Sequence, residues 1–89
     1  MSEFDIQLVL AKDSNIKSMV FVADEYYTGI INGELCDRHS IFKARYWYLR
    51  LLNTRNKSVV SHAAKRLDEL NLYLEKMNKS IKLKEVLNG

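Results

Sequence analysis

The chain has 89 residues, 47% of them hydrophobic and 28% charged, with a net charge of +3 and one cysteine. That length fits one domain and leaves no room for a second core, the apolar share argues against disorder, and a lone cysteine excludes an intrachain disulfide framework. No apolar run approaches the roughly 18 residues of a membrane span, and the acidic opening Met-Ser-Glu-Phe-Asp is unlike the basic start of a secretion signal, so a cytoplasmic protein is expected.

Proline is absent and there are only three glycines, so few positions force the backbone to stop. Long helices joined by short links are the expectation. In the opening segment Phe4, Ile6, Leu8 and Leu10 alternate as a strand would, yet Ser2 and Asp5 have the spacing of a capping box. A short helix is preferred, because a lone strand would leave its backbone unpaired.

Asp13 or Ser14 can cap a second helix running to about Ile31 or Asn32. Ile16, Met19, Val20, Ala23, Tyr27 and Ile30 recur at steps of three and four and form its core stripe. Phe21 and Val22 fall outside that stripe. They need cover, which the first helix has enough apolar side chains to supply. That cover is preferred, and the rival is a second subunit, with Phe21 and Val22 as a candidate homodimer interface. Gly29 weakens the following turn, and Gly33 in Asn-Gly marks the helix end.

The third helix begins at Asp37 or Ser40 and runs from Ile41 to about Thr54. Ile41, Ala44, Tyr48 and Leu52 share one side, widened by Phe42, Leu49 and Leu51. Arg45 falls close to that apolar direction, where an arginine needs a partner. Asp24 or Glu25 of the second helix would supply a structural ion pair. The turn 53–58 leads to the clearest pattern in the chain. Val60, Ala63, Leu67, Leu70, Leu74 and Met77 follow alternating steps of three and four. Asn78-Lys79-Ser80 interrupts them, and Ser80 can cap a short fifth helix carrying Ile81, Leu83, Val86 and Leu87, with a frayed C-terminus. The fold class expected is all-α, a small bundle of four to five short-linked helices forming one domain over residues 1–89.

Charge is unevenly placed. Residues 1–37 hold seven acids and two lysines, a net −5, while residues 38–89 hold twelve bases and four acids, a net +8. Such a division steers a partner or draws the two halves of one fold together.

The most suggestive constellation lies on the third helix. Lys43, Trp47, Arg50 and Thr54 are spaced at three and four, with Tyr46 and Lys57 beside the same line. A basic aromatic face of this kind suits a protein partner, since Trp, Tyr and Arg serve as interface anchors. It also suits nucleic acid, where cations meet phosphates and rings stack on bases. A solvated surface is the bland alternative, because arginine stems ordinarily cover apolar neighbours. A helix-turn-helix over Tyr26–Leu49 is disfavoured by Asp37, an acid where phosphate would approach.

Chemical sites are poorly supported. Cys36-x-x-His39 has metal-ligand spacing and His62 is the second histidine, but no further cysteine completes a zinc set. Cys36 reads better as a small hydrophobe. Asp68 and Glu69 diverge by about 100° on a helix and make a poor catalytic pair. No Gly-rich phosphate loop occurs. The expectation is a non-enzymatic regulatory binding protein without cofactor or metal, whose protein partner meets the third helix. Nucleic-acid binding through the same face, stoichiometric blocking of one target as an inhibitor does, and a small structural subunit are the alternatives.

Overall fold

The computed structural model describes residues 2–35 and 37–88, the side chains from Ser80 onward excepted. Four helices account for it: α1 (Glu3–Lys12), α2 (Ile16–Ile31), α3 (Arg38–Leu51) and α4 (Lys57–Asn88). They form a compact all-helical bundle, and no strand occurs among the described residues. The opening segment is therefore helical, as the capping spacing implied.

Side-chain caps set all four starts. Ser2 and Asp5 form a reciprocal capping box on α1. Asn15 Oδ1 accepts the Ser18 N–H at 3.0 Å, so the cap of α2 is one residue beyond the expected Asp13 or Ser14. Asp37 accepts the Ser40 N–H at 2.7 Å and starts α3, and that bond holds its carboxyl below the usual range. Asn56 receives the N–H groups of Ser58 and Val59 at the head of α4. Each such cap satisfies a donor that the helix itself leaves unpaired and contributes about 1 kcal/mol.

The ends are equally local. Gly33 carries a φ of +77°, the left-handed conformation that closes α2. The chain then folds back so that Leu35 N donates to the Gly29 carbonyl and the Leu35 side chain covers Gly29. A Cβ on Gly29 would lie 2.8 Å from Leu35 Cδ1, so the bare glycine permits this return. Ser14 makes the corresponding left-handed turn between α1 and α2, with φ +70°.

No fifth helix starts at Ser80. The α-helix continues through Asn78-Lys79-Ser80 to Asn88, because none of those residues removes a backbone donor and the polar triplet breaks only the apolar pattern. At 1.5 Å per residue, α4 is ~48 Å long and sets the 47 Å long axis of the molecule. The expected apolar side chains Ile81, Leu83, Val86 and Leu87, and the frayed terminus at Gly89, lie outside the described residues.

α2 packs against both α1 and α3, while α3 also carries α4. The core combines Ala11 from α1, Met19, Val22, Ala23 and Ile30 from α2, Ile41, Ala44, Trp47, Tyr48 and Leu51 from α3, and Ala63, Leu67 and Leu70 from α4. The leucine seam of α4 thus faces inward as its spacing predicts. Val22 is completely buried, and Phe21 packs partly covered against the core. Ser18, one turn before Val22, donates its hydroxyl to Gln7 Oε1 of α1 at 2.7 Å, and Tyr26, one turn after, meets the Phe4 ring edge-on at 5.5 Å. Val22 therefore lies under α1. It is sealed within the monomer and cannot meet a symmetry mate, which removes Val22 from the candidate dimer interface, while Phe21 beside it is only partly covered.

Candidate docking face on the third helix

α3 has two apolar sides. Its inward arc carries Ser40, Ile41, Ala44, Trp47, Tyr48 and Leu51, all buried. Its outward arc carries Phe42, Tyr46 and Leu49, which are 48%, 54% and 47% exposed. These three are spaced i, i+4 and i+7, so they form one continuous stripe. The inward arc is rotated by about 60° from the direction expected from Ile41, Tyr48 and Leu52. That rotation brings Trp47 inside, at 5% exposure, and turns Phe42 and Leu49 out.

The expected face of Lys43, Tyr46, Trp47, Arg50, Thr54 and Lys57 is consequently divided. Lys43 and Tyr46 are exposed and Arg50 is half-buried. Trp47 is a core residue, because it closes the inner packing of α3, and it is not available to stack on a base. Thr54 turns back to donate to the Leu51 carbonyl at 2.8 Å, and Lys57 is the exposed first residue of α4. Phe42 and Leu49 take the place of Trp47 on the outer surface. Their signal in the sequence was their spacing with Tyr46, which was masked by counting them as part of the core.

Cations border the outer stripe. Lys43 and Arg50 lie along one edge, Arg38 and Arg45 along the other, and α3 contains no acid. The Arg50 guanidinium lies 5.1 Å from the Trp47 ring and donates to Ser14 Oγ at 3.0 Å, tying α3 to the α1–α2 turn. Arg45 lies 5.8 Å from the Phe42 ring. It makes no ion pair with Asp24 or Glu25, and its buried Nε has no hydrogen-bond partner among the described residues. Asp24 instead meets Tyr48 and His62, and Glu25 is exposed.

Beside the stripe, Leu8, Tyr26 and Trp47 line an open groove of about 380 Å³ together with exposed Phe42 and Tyr46. Lys12, His39 and Lys43 also line it, and no acid does. The groove crosses α1, α2 and α3, so its shape depends on the packed bundle. Lys12 was missed as a site residue because it comes from α1, remote in sequence, and His39, one turn before Lys43 on α3, was weighed as a metal ligand instead.

A second polar constellation faces inward. Tyr48, fully buried, donates to Asp24 Oδ1 at 2.5 Å, and His62 Nε2 meets the same oxygen at 2.8 Å. The Tyr27 hydroxyl donates to Glu69, which also accepts from Arg66 Nη1 at 3.2 Å. The Arg66 guanidinium lies over the Tyr27 ring at 4.1 Å. Burial, and then the bond to Asp24, push the Tyr48 phenol well above its usual range. Burial and Glu69 raise Tyr27 in the same way, while the Tyr27 hydroxyl holds Glu69 below its usual value. Asp24 and Tyr27 are one turn apart on α2, and His62, Arg66 and Glu69 follow at four and three on α4. The two clusters form a ladder across α2, α3 and α4. Both hydrogen bonds to Asp24 converge on one oxygen, so the carboxylate acts here as a tether between helices.

No group of three or more potential metal ligands occurs among the described residues. The zinc set weighed at Cys36, His39 and His62 falls partly outside them, since Cys36 is not described, and His62 Nε2 is engaged by Asp24. No helix among the described residues is long and apolar enough to cross a membrane. Comparisons with family models, with curated proteins and with solved structures find no match.

Proposed function

We propose that this chain is a non-enzymatic binding protein whose macromolecular partner docks on the outer side of α3. Phe42, Tyr46 and Leu49 supply the apolar contact, and Lys43, Arg45 and Arg50 supply a cationic border. The observation that carries this reading is the exposed apolar stripe on a helix whose opposite side already fills the core. An exposed contiguous patch of large side chains is costly in a monomer and marks an interaction surface. The cations orient a partner and raise its rate of encounter, while the apolar centre supplies most of the affinity.

A protein partner with an acidic surface fits this composition better than nucleic acid does. Tyr46 is the exposed tyrosine on the stripe, Trp47 lies in the core, and Phe42 and Leu49 offer phosphates nothing. The role we propose is regulatory, exerted by covering or occupying one macromolecule through this face.

The test places a photoreactive amino acid at Tyr46 and, as a control, at exposed Lys65 on α4. Illumination in native lysate should give a discrete protein adduct from position 46 alone, unchanged by nuclease. An adduct destroyed by nuclease would transfer the face to nucleic acid, and equal labelling from both positions would remove the face from consideration.

A further inference from the structure

We infer that a second copy of this chain occupies the outer side of α3, docking through its own α1. The inference rests on the reading that this side is a docking face, and it names the occupant. α1 is apolar on two opposite sides. Phe4, Leu8 and Ala11 pack inward against α2 and the core. Ile6, Val9 and Leu10 point the other way and are 40% to 52% exposed. A ten-residue helix that is apolar on two opposite sides is suited to burial on both, yet the monomer covers only one of them.

The border of that second stripe is acidic on balance, with Glu3, Asp5 and Asp13 around it and Lys12 as its one cation. The outer stripe of α3 is its counterpart, since Phe42, Tyr46 and Leu49 are bordered by Arg38, Lys43, Arg45 and Arg50. Apolar side chains then meet apolar ones, and carboxylates meet guanidinium and ammonium groups. The lengths also agree, at about 15 Å for α1 and about 18 Å from Arg38 to Arg50. The match cannot be made within one chain. The inward side of α1 is fixed on α2, which points Ile6, Val9 and Leu10 away from the molecule. In trans it is made twice, because each copy offers both an α1 and an α3, and the exchange closes into a twofold pair. The opposed charges of the two halves of the sequence find a use in the same contact.

Charge exchange tests the pairing. Glu3→Lys/Asp13→Lys reverses the α1 border and leaves the Ser2–Asp5 capping box intact. Arg38→Glu/Lys43→Glu reverses the two most exposed cations of the α3 border and cancels its net charge, at the cost of the Arg38 bond to Asn78. Sedimentation should show the unaltered chain as a dimer that dissociates more readily as salt rises, since salt screens exposed charges. Each variant alone should be monomeric, with its affinity for itself weakened by about tenfold or more. An equimolar mixture should dimerise again, because both of its contacts then join opposite charges. A monomeric natural chain, dimers in either variant alone, or folded variants without rescue would each overturn the pairing. Val9→Ser/Leu10→Ser removes the apolar half without altering charge, and must also yield a folded monomer. If dimerisation fails while the position-46 adduct persists, the occupant is a different acidic protein and the docking face stands. Loss of both rejects the face itself.

Discussion

The two sides of α3 are built from nearly the same residue types and have opposite consequences. Inside, Ile41, Trp47, Tyr48 and Leu51 are covered by α2 and α4. Outside, Phe42, Tyr46 and Leu49 meet solvent under a cationic border. Composition alone does not separate them. What separates them is whether another helix of the same chain reaches that side, which teaches that apolar content marks a need for a partner without naming which partner answers it. Substitutions on the inner side should therefore cost stability, and those on the outer side should cost binding.

The largest effect is expected at Trp47. Trp47→Ala removes a core ring together with the platform for Arg50, and should lower unfolding free energy by about 3–5 kcal/mol in denaturant titration. A loss below about 1 kcal/mol would place Trp47 outside the core and break the comparison. Next comes Asp24→Ala, which strands the buried Tyr48 hydroxyl without its acceptor. A cost of about 1–3 kcal/mol is expected, and Asp24→Ala combined with Tyr48→Phe should recover part of it, since no buried donor then remains unpaired.

pH dependence gives a smaller effect on each side of neutrality. Tyr48 has its phenol raised from 10.0 by burial and by Asp24. The folded chain thus favours the neutral form, so its stability is whole below about pH 10 and declines as pH rises beyond that. Tyr48→Phe should flatten this alkaline decline. Glu69 is held below its ordinary value of 4.5 by the Tyr27 hydroxyl. Its contribution is present above about pH 4.5 and is lost as pH falls through the depressed value. Because the Glu69 side chain is 31% exposed, the acidic slope should be shallow, and Tyr27→Phe should flatten it further in acid melts, the Arg66 bond to Glu69 remaining. The smallest stability change belongs to the outer stripe, where Leu49→Ser should stay within about 0.5 kcal/mol of the natural chain.

Local chemistry was legible from the sequence wherever one short segment decided it. The Ser2–Asp5 box, the Asp37 cap and the left-handed Gly33 turn each involve residues within four positions of one another. The leucine seam of α4 was equally clear, because six apolar residues share one phase. α3 was harder, since apolar residues surround most of its circumference and several phases fit nearly as well. Choosing among them requires knowing that α2 and α4 meet on the Trp47 and Tyr48 side. The Asp24–Tyr48–His62 contact joins residues 24 and 38 positions apart from Asp24, and no periodicity reveals such a meeting. Arg45 was misjudged for the same reason, as Asp24 meets Tyr48 and His62 instead. Cover for Val22 by α1 was legible, because the opening segment carries enough apolar side chains to supply it.

The central claim is that the apolar outer side of α3 exists for contact and contributes little to the fold. Denaturant unfolding and position-46 cross-linking of Phe42→Ser/Leu49→Ser, measured side by side, address it directly. Nearly unchanged unfolding with the adduct abolished is the predicted result. A markedly destabilised chain, or a fully stable one that still forms the adduct, would contradict it.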